Sequence, residues 1–150
     1  MPQSLARNLL HLVFSTKNRT PWLNGAIRPE LYGYQAVILR NWDSPAILIE
    51  GVEDHVHILF VLARTHALCE VIEQVKKGSS KWIKTKGSQY AEFHWQNGYG
   101  AFSVSPSNVE AVKRYIANQE EHHKKTTFQE EFREFCRKHG MEFDERYMWD

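Results

Sequence analysis

The chain has 150 residues and a formal net charge of +1 at pH 7, and 42% of its residues are hydrophobic. This size predicts one folded domain, 1–150, and the apolar content excludes a disordered chain. No apolar run is long enough to cross a bilayer, and the first residues lack the apolar core of a signal peptide. Cys69 and Cys136 fit no disulfide framework or metal spacing, so we expect reduced thiols in a cytoplasmic protein.

The first half of the chain alternates between strand and helix patterns. Residues 11–16 are apolar and partly β-branched, which predicts a strand, and turn residues follow over 17–25. Apolar residues at roughly helical spacing predict a helix over 29–41. Two further strands, 46–52 and 55–62, are separated by two residues, which is the length of a tight hairpin loop.

The second half continues with a helix from Leu68 to beyond Trp82, where apolar residues recur every three or four positions. Residues 93–105 alternate around a turn signal and predict a strand or hairpin. Ser107 and Glu110 have the spacing of a capping box for a third helix. A short aromatic helical segment, 128–135, comes last. This order predicts an α+β fold, a split βαβ antiparallel sheet with helices packed on one face.

The stretch GVEDHVHILF, 51–60, places two histidines at the start of a strand that is otherwise apolar. Because side chains alternate along a strand, His55 and His57 share one face, roughly 6–7 Å apart, and can converge on one metal ion. They equally fit a partly exposed strand edge. A metal site needs a further ligand, and six residues are candidates for it: His11, Glu53, Asp54, His94, Gln119 and His122.

Tyr115 and Gln119 lie four residues apart in the predicted third helix. They therefore share one face of that helix, beside its apolar stripe, where they can border the sheet. The simpler interpretation is an ordinary tyrosine at the boundary of an amphipathic helix.

A lysine-rich segment runs from Lys76 to Ala91 without any acidic residue. A basic patch of this kind can bind a polyanion even on a nearly neutral protein, although a solvated helix face has the same composition. The candidate polyanion-binding residues are Lys76, Lys77, Lys81, Lys84 and Lys86.

Taken together, these segments resemble the single-tyrosine HUH transposases, which are the small IS200-like insertion-sequence transposases and their repeat-associated relatives. The resemblance covers nearly the whole chain and rests on six segments: HLVFSTKNRTPWL, GVEDHVHILF, GSSKWIK, FHWQNGYGAFSVS, YIANQEEHH and DERYMWD. It implies a ferredoxin-like core, Tyr115 as nucleophile, and His55, His57 and Gln119 as ligands of Mg²⁺ or Mn²⁺. Asp54 and His122 are further candidates for residues that border the site, and Asp54 could orient an imidazole.

The resemblance also implies a reaction and its partners. We expect single-stranded DNA to be cut and rejoined through a 5′-phosphotyrosine, with hairpins near mobile-element ends as the bound substrate. The five lysines of the basic segment then become the candidate DNA-binding residues. Trp82 could stack on an unpaired base, although it also continues the apolar stripe of its helix. We expect a homodimer, in which the tyrosine helix of one subunit can complete the histidine pair of the other, in the nucleoid of a bacterium or archaeon. The alternatives are a replication-initiator or relaxase-type nickase, a domesticated hairpin-binding protein that does not cleave, and a metal-storing or metal-sensing protein.

Overall fold

The computed structural model describes residues 2–150. The strands are β1 (Asn8–Ser15), β2 (Ala46–Gly51), β3 (His55–Leu62) and β4 (Gly100–Ser103). The helices are α1 (Ile27–Asn41), α2 (Leu68–Lys84), α3 (Val109–Ala117), α4 (Gln119–His122) and α5 (Phe128–Lys138). Within these residues no helix combines the length and the apolar composition that a membrane crossing requires.

The four strands form one antiparallel sheet in the order β2-β3-β1-β4. This order is that of a ferredoxin-like α+β fold, so the predicted fold class is confirmed. Helices α1 and α2 cover one face of the sheet, as expected. Helices α3, α4 and α5 lie on the other face, which adds a second layer that the element order did not predict.

Side chains alternate along β1 and β3, so successive residues of each strand lie on opposite faces of the sheet. Val56 and Ile58 belong to a large apolar core that α1 and α2 complete. The opposite side of the sheet carries Val13, which packs with Phe102 and with residues of α5. His55 and His57 point to this second side, where the apolar cluster is small and polar groups can be buried beside it.

The β2–β3 hairpin holds His55 in place through its backbone. Two of its three loop residues are anchored, because the Glu53 carbonyl accepts from Leu23 N at 2.9 Å and the Asp54 carbonyl accepts from Thr16 N at 2.8 Å. At the end of β2 a side chain on Gly51 would overlap the His55 carbonyl oxygen, and its Cβ would lie 2.9 Å from Val56 Cα. The close approach of the strands therefore requires glycine.

The predicted strand or hairpin over 93–105 is only partly formed. Residues 100–103 are the strand β4, whereas the segment before it is a loop with a single β-bridge, between Trp95 and Thr16, the residue that follows β1. The loop's carbonyl groups are bound by a side chain instead of a strand partner: Lys76 Nζ donates to the carbonyls of Gln96 at 2.8 Å and Gly98 at 2.5 Å. The Lys76 side chain thus satisfies carbonyl groups that a second strand would bind in a hairpin.

The predicted capping box at Ser107 and Glu110 is wrong. A 3₁₀ turn, Pro106–Asn108, leads into α3, and the start of that helix has no side-chain cap. The third helix also ends earlier than expected, because Asn118 leaves the helical conformation (φ −100°, ψ 23°) and separates α3 from α4. The one capping box observed within residues 2–150 is at Thr127, at the start of α5.

Candidate active site

The two histidines of β3 meet a buried carboxylate from α5. Glu131 is 3% exposed, and both histidines are fully buried. Glu131 Oε1 lies 2.9 Å from His57 Nε2 and 3.5 Å from His55 Nε2. The imidazole pair is therefore part of a closed polar cluster, not a strand edge.

Tyr115 and Gln119 join the same cluster. The Tyr115 hydroxyl donates a hydrogen bond to Glu131 Oε2 and lies 3.2 Å from His122 Nε2. Gln119 Oε1 is 3.3 Å from His55 Nε2, although the helix is interrupted between Tyr115 and Gln119. One chain thus brings together the histidine pair, the tyrosine and the glutamine without a second subunit.

Each histidine of the pair is oriented through its other ring nitrogen. His55 Nδ1 lies 2.6 Å from Asp54 Oδ1, and His57 Nδ1 lies 2.7 Å from His11 Nε2. When each Nδ1–H donates to these partners, the Nε2 lone pairs of both rings face Glu131. The structure thus places Asp54 against His55, where its carboxylate can orient the imidazole.

The cluster has the composition and spacing of a divalent metal site. One ligand atom from each of His55, His57, His123 and Glu131 lies within 4.8 Å of the others. Gln119 Oε1 borders the same space. Contacts of about 3 Å between ligand atoms are those expected when each lies about 2.1 Å from a shared ion. Imidazole together with carboxylate and amide oxygen suits Mn²⁺ and neighbouring first-row metals better than Mg²⁺. The residues therefore fit a divalent cation.

The charges inside the cluster are set by burial and by one another. Burial alone would raise the pKa of Glu131, but the imidazoles of His57, His123 and His55 hold it below its usual range, so the carboxylate is ionised. Burial lowers the pKa of His57, which keeps that ring neutral. Burial would also lower the pKa of His55, but hydrogen bonds to Asp54 and Glu131 raise it to about 9. A metal that binds His55 must displace this proton.

The Tyr115 phenol is held in its neutral form. Burial, and then the negative charge of Glu131, raise its pKa above the ordinary value. Tyr115 is half-buried and, with His122, Thr126 and Lys138 among others, lines a cavity of about 310 Å³. A nucleophile in this position needs a proton acceptor during attack, and Glu131 and His122 are both within reach.

The predicted DNA-binding lysines lie on the other face of the sheet. Lys77, Lys81, Lys84 and Lys86 are exposed on or just after α2. Lys76 is half-buried, and its ammonium group is engaged with the loop carbonyls described above. Trp82 stacks on Tyr34 of α1 at 5.3 Å between ring centroids, so it packs within the protein.

Sequence reasoning missed the centre of the cluster. Glu131 was not considered, because 74 residues separate it from His57 and no local pattern marks it. His123 gave a faint signal as the second histidine of the EHH run after Gln119. Among the residues considered as third ligands, His11 contacts the Nδ1 atom of His57, on the side of the ring away from Glu131. Glu53 and His94 are exposed and lie outside the cluster.

A family model described as "Transposase IS200 like" matches residues 5–119. The chain belongs to this transposase family. The match includes β1, the β2–β3 hairpin and the stretch from Tyr115 to Gln119, and it ends before α5 begins. Membership supports a DNA-cleaving enzyme, and the site just described lies mainly within the matched region.

Solved structures of transposases share the fold. A transposase from Deinococcus radiodurans R1 is 20% identical, with a TM-score of 0.62, over 79% of this chain and 98% of that one. The REP-associated tyrosine transposase bound to a REP hairpin is 12% identical, with a TM-score of 0.54, over 77% of this chain and 67% of that one. No curated protein matches this transposase.

Proposed function

We propose that this transposase cleaves and rejoins single-stranded DNA through a 5′-phosphotyrosine at Tyr115, with a divalent metal held by His55, His57 and Gln119. One observation carries the proposal: the Tyr115 hydroxyl and the Nε2 atoms of both histidines face one buried carboxylate within a single chain. A metal-storage protein would have no use for a tyrosine hydroxyl at this point. The family match weighs against a replication-initiator nickase.

The reaction exchanges one phosphodiester bond for another. The Tyr115 oxygen attacks the scissile phosphorus and loses its proton, the bond from phosphorus to the 3′ oxygen breaks, and that oxygen leaves as a 3′-hydroxyl. Attack by a 3′-hydroxyl on the phosphotyrosine reverses these steps and joins a new pair of ends without ATP. A bound divalent ion would supply Lewis-acid polarisation of a non-bridging phosphate oxygen.

Hairpin DNA is the proposed substrate. A structural relative is described as bound to a REP hairpin, and the site in this chain opens to solvent beside Tyr115 and Lys138. The open cavity can admit an extended strand, whereas Tyr115 is too deeply set for the inside of a paired duplex to reach it. Single-stranded DNA next to a hairpin satisfies both requirements.

The test is covalent capture on denaturing gels. The protein is incubated with Mn²⁺ and a single-stranded oligonucleotide that carries a hairpin, labelled either 3′ or 5′ of the expected cut. We expect an SDS-resistant adduct that retains only the label 3′ of the cut and that a chelator prevents. Binding of the hairpin without any adduct would support the non-cleaving alternative and overturn the proposal.

We expect two classes of lysine on α2. Alanine at both Lys81 and Lys84 should weaken hairpin binding and reduce the slope of log affinity against log salt by about one for each phosphate that is no longer neutralised. Lys76→Met should instead lower stability by about 1–3 kcal/mol, because the loop carbonyls lose their donor. Salt-dependent binding and urea denaturation measure the two effects. Equal salt slopes in both variants would contradict the distinction.

We also expect the active site to be complete within one subunit. Mixing Tyr115→Phe protein with His55→Ala protein should produce no adduct, because the tyrosine and the histidines already meet in a single chain. The measurement is adduct yield on the hairpin substrate, with each variant alone and the unmodified protein as references. Recovery of adduct on mixing would show that active sites are shared between the subunits of a dimer.

A further inference from the structure

We propose that Glu131 of α5 is an additional ligand of the metal and that its second oxygen positions the Tyr115 hydroxyl beside the ion. The inference rests on the proposed function, and it concerns a residue outside the stretch matched by the family model, which ends at residue 119. One carboxylate would then join the metal and the nucleophile.

The argument for a metal ligand is the meeting of several ligand atoms in one buried space. The Nε2 atoms of His55 and His57 lie 3.5 and 2.9 Å from Glu131 Oε1, and one ligand atom from each of these residues and His123 lies within 4.8 Å of the others. The Nδ1 atoms of both rings contact Asp54 and His11 instead, so the Nε2 atoms are the ones directed to the carboxylate. Imidazole nitrogens and a carboxylate oxygen are all ligands of first-row metals. Both rings and the carboxylate are buried, so a cation bound between them would be held by protein groups.

The second carboxylate oxygen is directed to the nucleophile. Glu131 Oε2 accepts from the Tyr115 hydroxyl and lies 3.4 Å from Gln119 Nε2 and 3.2 Å from His122 Nε2. One oxygen of the Glu131 carboxylate therefore faces the imidazole pair, and the other faces the Tyr115 hydroxyl. A metal ligand in this position would fix the position of the Tyr115 hydroxyl relative to the ion. In-line attack on the phosphate depends on that position.

Helix α5 contacts both the sheet and the end of the chain. Its inner side packs on Val13 and Phe102 of the sheet, and Trp149 packs against its Phe132. Arg133, on the outer side, forms a two-bonded ion pair with Glu145 at 2.5 and 3.0 Å. The residues that follow the stretch matched by the family model thus include a helix, α5, that places the Glu131 carboxylate in the site.

The experiment measures Mn²⁺ affinity of the full chain by titration calorimetry. We expect Glu131→Gln to bind Mn²⁺ about 100-fold more weakly than the unmodified protein, a loss comparable with that of His57→Ala. Glu131→Asp, which keeps the charge on a shorter side chain, should recover part of the affinity. Glu110→Gln on the surface of α3 is the matched control and should bind as the unmodified protein does. Circular dichroism without metal checks that each variant is folded.

The coupling to Tyr115 is tested by the same measurement. Tyr115→Phe should tighten Mn²⁺ binding roughly 3-fold, because Oε2 loses a competing donor, and should have no such effect in the Glu131→Gln background. Mn²⁺ binding to Glu131→Gln that equals or exceeds that of the unmodified protein, while His57→Ala loses it, would overturn the inference. In that case covalent capture by the unmodified protein would still support the proposed function. Normal Mn²⁺ binding without any adduct would instead overturn the proposed function alone.

Discussion

Tyr115→Phe is expected to abolish the covalent DNA adduct while the protein stays folded and still binds hairpin DNA. The substitution removes only the hydroxyl, and the ring keeps its neighbours, the rings of His57 at 5.8 Å and Phe135 at 5.5 Å between centroids. Loss of a catalytic nucleophile lowers rates by about 10⁴-fold or more, so the adduct should fall below detection. Removal of the hydrogen bond to Glu131 should cost about 1–3 kcal/mol of stability.

The measurement is adduct yield on a labelled hairpin oligonucleotide, together with hairpin affinity in a chelator. Tyr147→Phe is the matched control, because that tyrosine is 66% exposed and lies outside the cluster. It should form the adduct at the unmodified rate. An adduct that persists in Tyr115→Phe at the level of the control would show that another residue attacks the phosphate.

His57→Ala is expected to remove metal binding and, separately, to destabilise the metal-free fold. His57 is completely buried and contacts Glu131 and His11 at 2.9 and 2.7 Å. Truncation removes a hydrogen-bond partner of the buried, ionised Glu131 carboxylate and leaves a cavity, which together should cost about 3–5 kcal/mol. Cleavage should disappear because one metal ligand is missing, even when the protein is kept folded at low temperature.

Urea denaturation in a chelator measures the stability effect, and adduct formation measures the catalytic one. The double variant His57→Ala with Glu131→Gln should recover part of the stability, because the orphaned charge is removed, but none of the cleavage. His94→Ala, at an exposed position in the loop before β4, should change neither quantity. Equal destabilisation of the single and double variants would mean that the missing volume of the ring, and not the carboxylate charge, causes the effect.

Glu131 also changes the electrostatics expected of the site. Two neutral imidazoles and an amide oxygen would leave a bound ion nearly its full positive charge. The ionised carboxylate would reduce this charge by one, and together with burial, the larger cause, it raises the pKa of Tyr115 in the metal-free protein. A cation bound beside Glu131 would offset that negative charge and make the phenol easier to deprotonate. In the proposed site the same carboxylate would therefore link activation of Tyr115 to metal binding.

Local sequence patterns determined the strands of the sheet and the two helices, α1 and α2, that cover its first face. Alternation along 55–62 predicted that His55 and His57 share one face, and the two-residue loop before them predicted the hairpin. These features depend on side-chain period and turn length, which a few neighbouring residues specify. The capping box at Ser107 failed because Pro106 and Asn108 form a 3₁₀ turn that displaces the start of the helix.

Tertiary structure alone decided how the site is closed. Nothing within a few residues of Glu131 distinguishes it from the neighbouring surface glutamates of an amphipathic helix, since its burial depends on the packing of α5 against β1 and β4. His11 likewise became a partner of His57 only when β1 paired with β3. The sequence determined which groups could bind a metal and attack a phosphate. The packing of distant segments decided which of them meet, because burial and charge pairing depend on contacts between residues far apart in the chain.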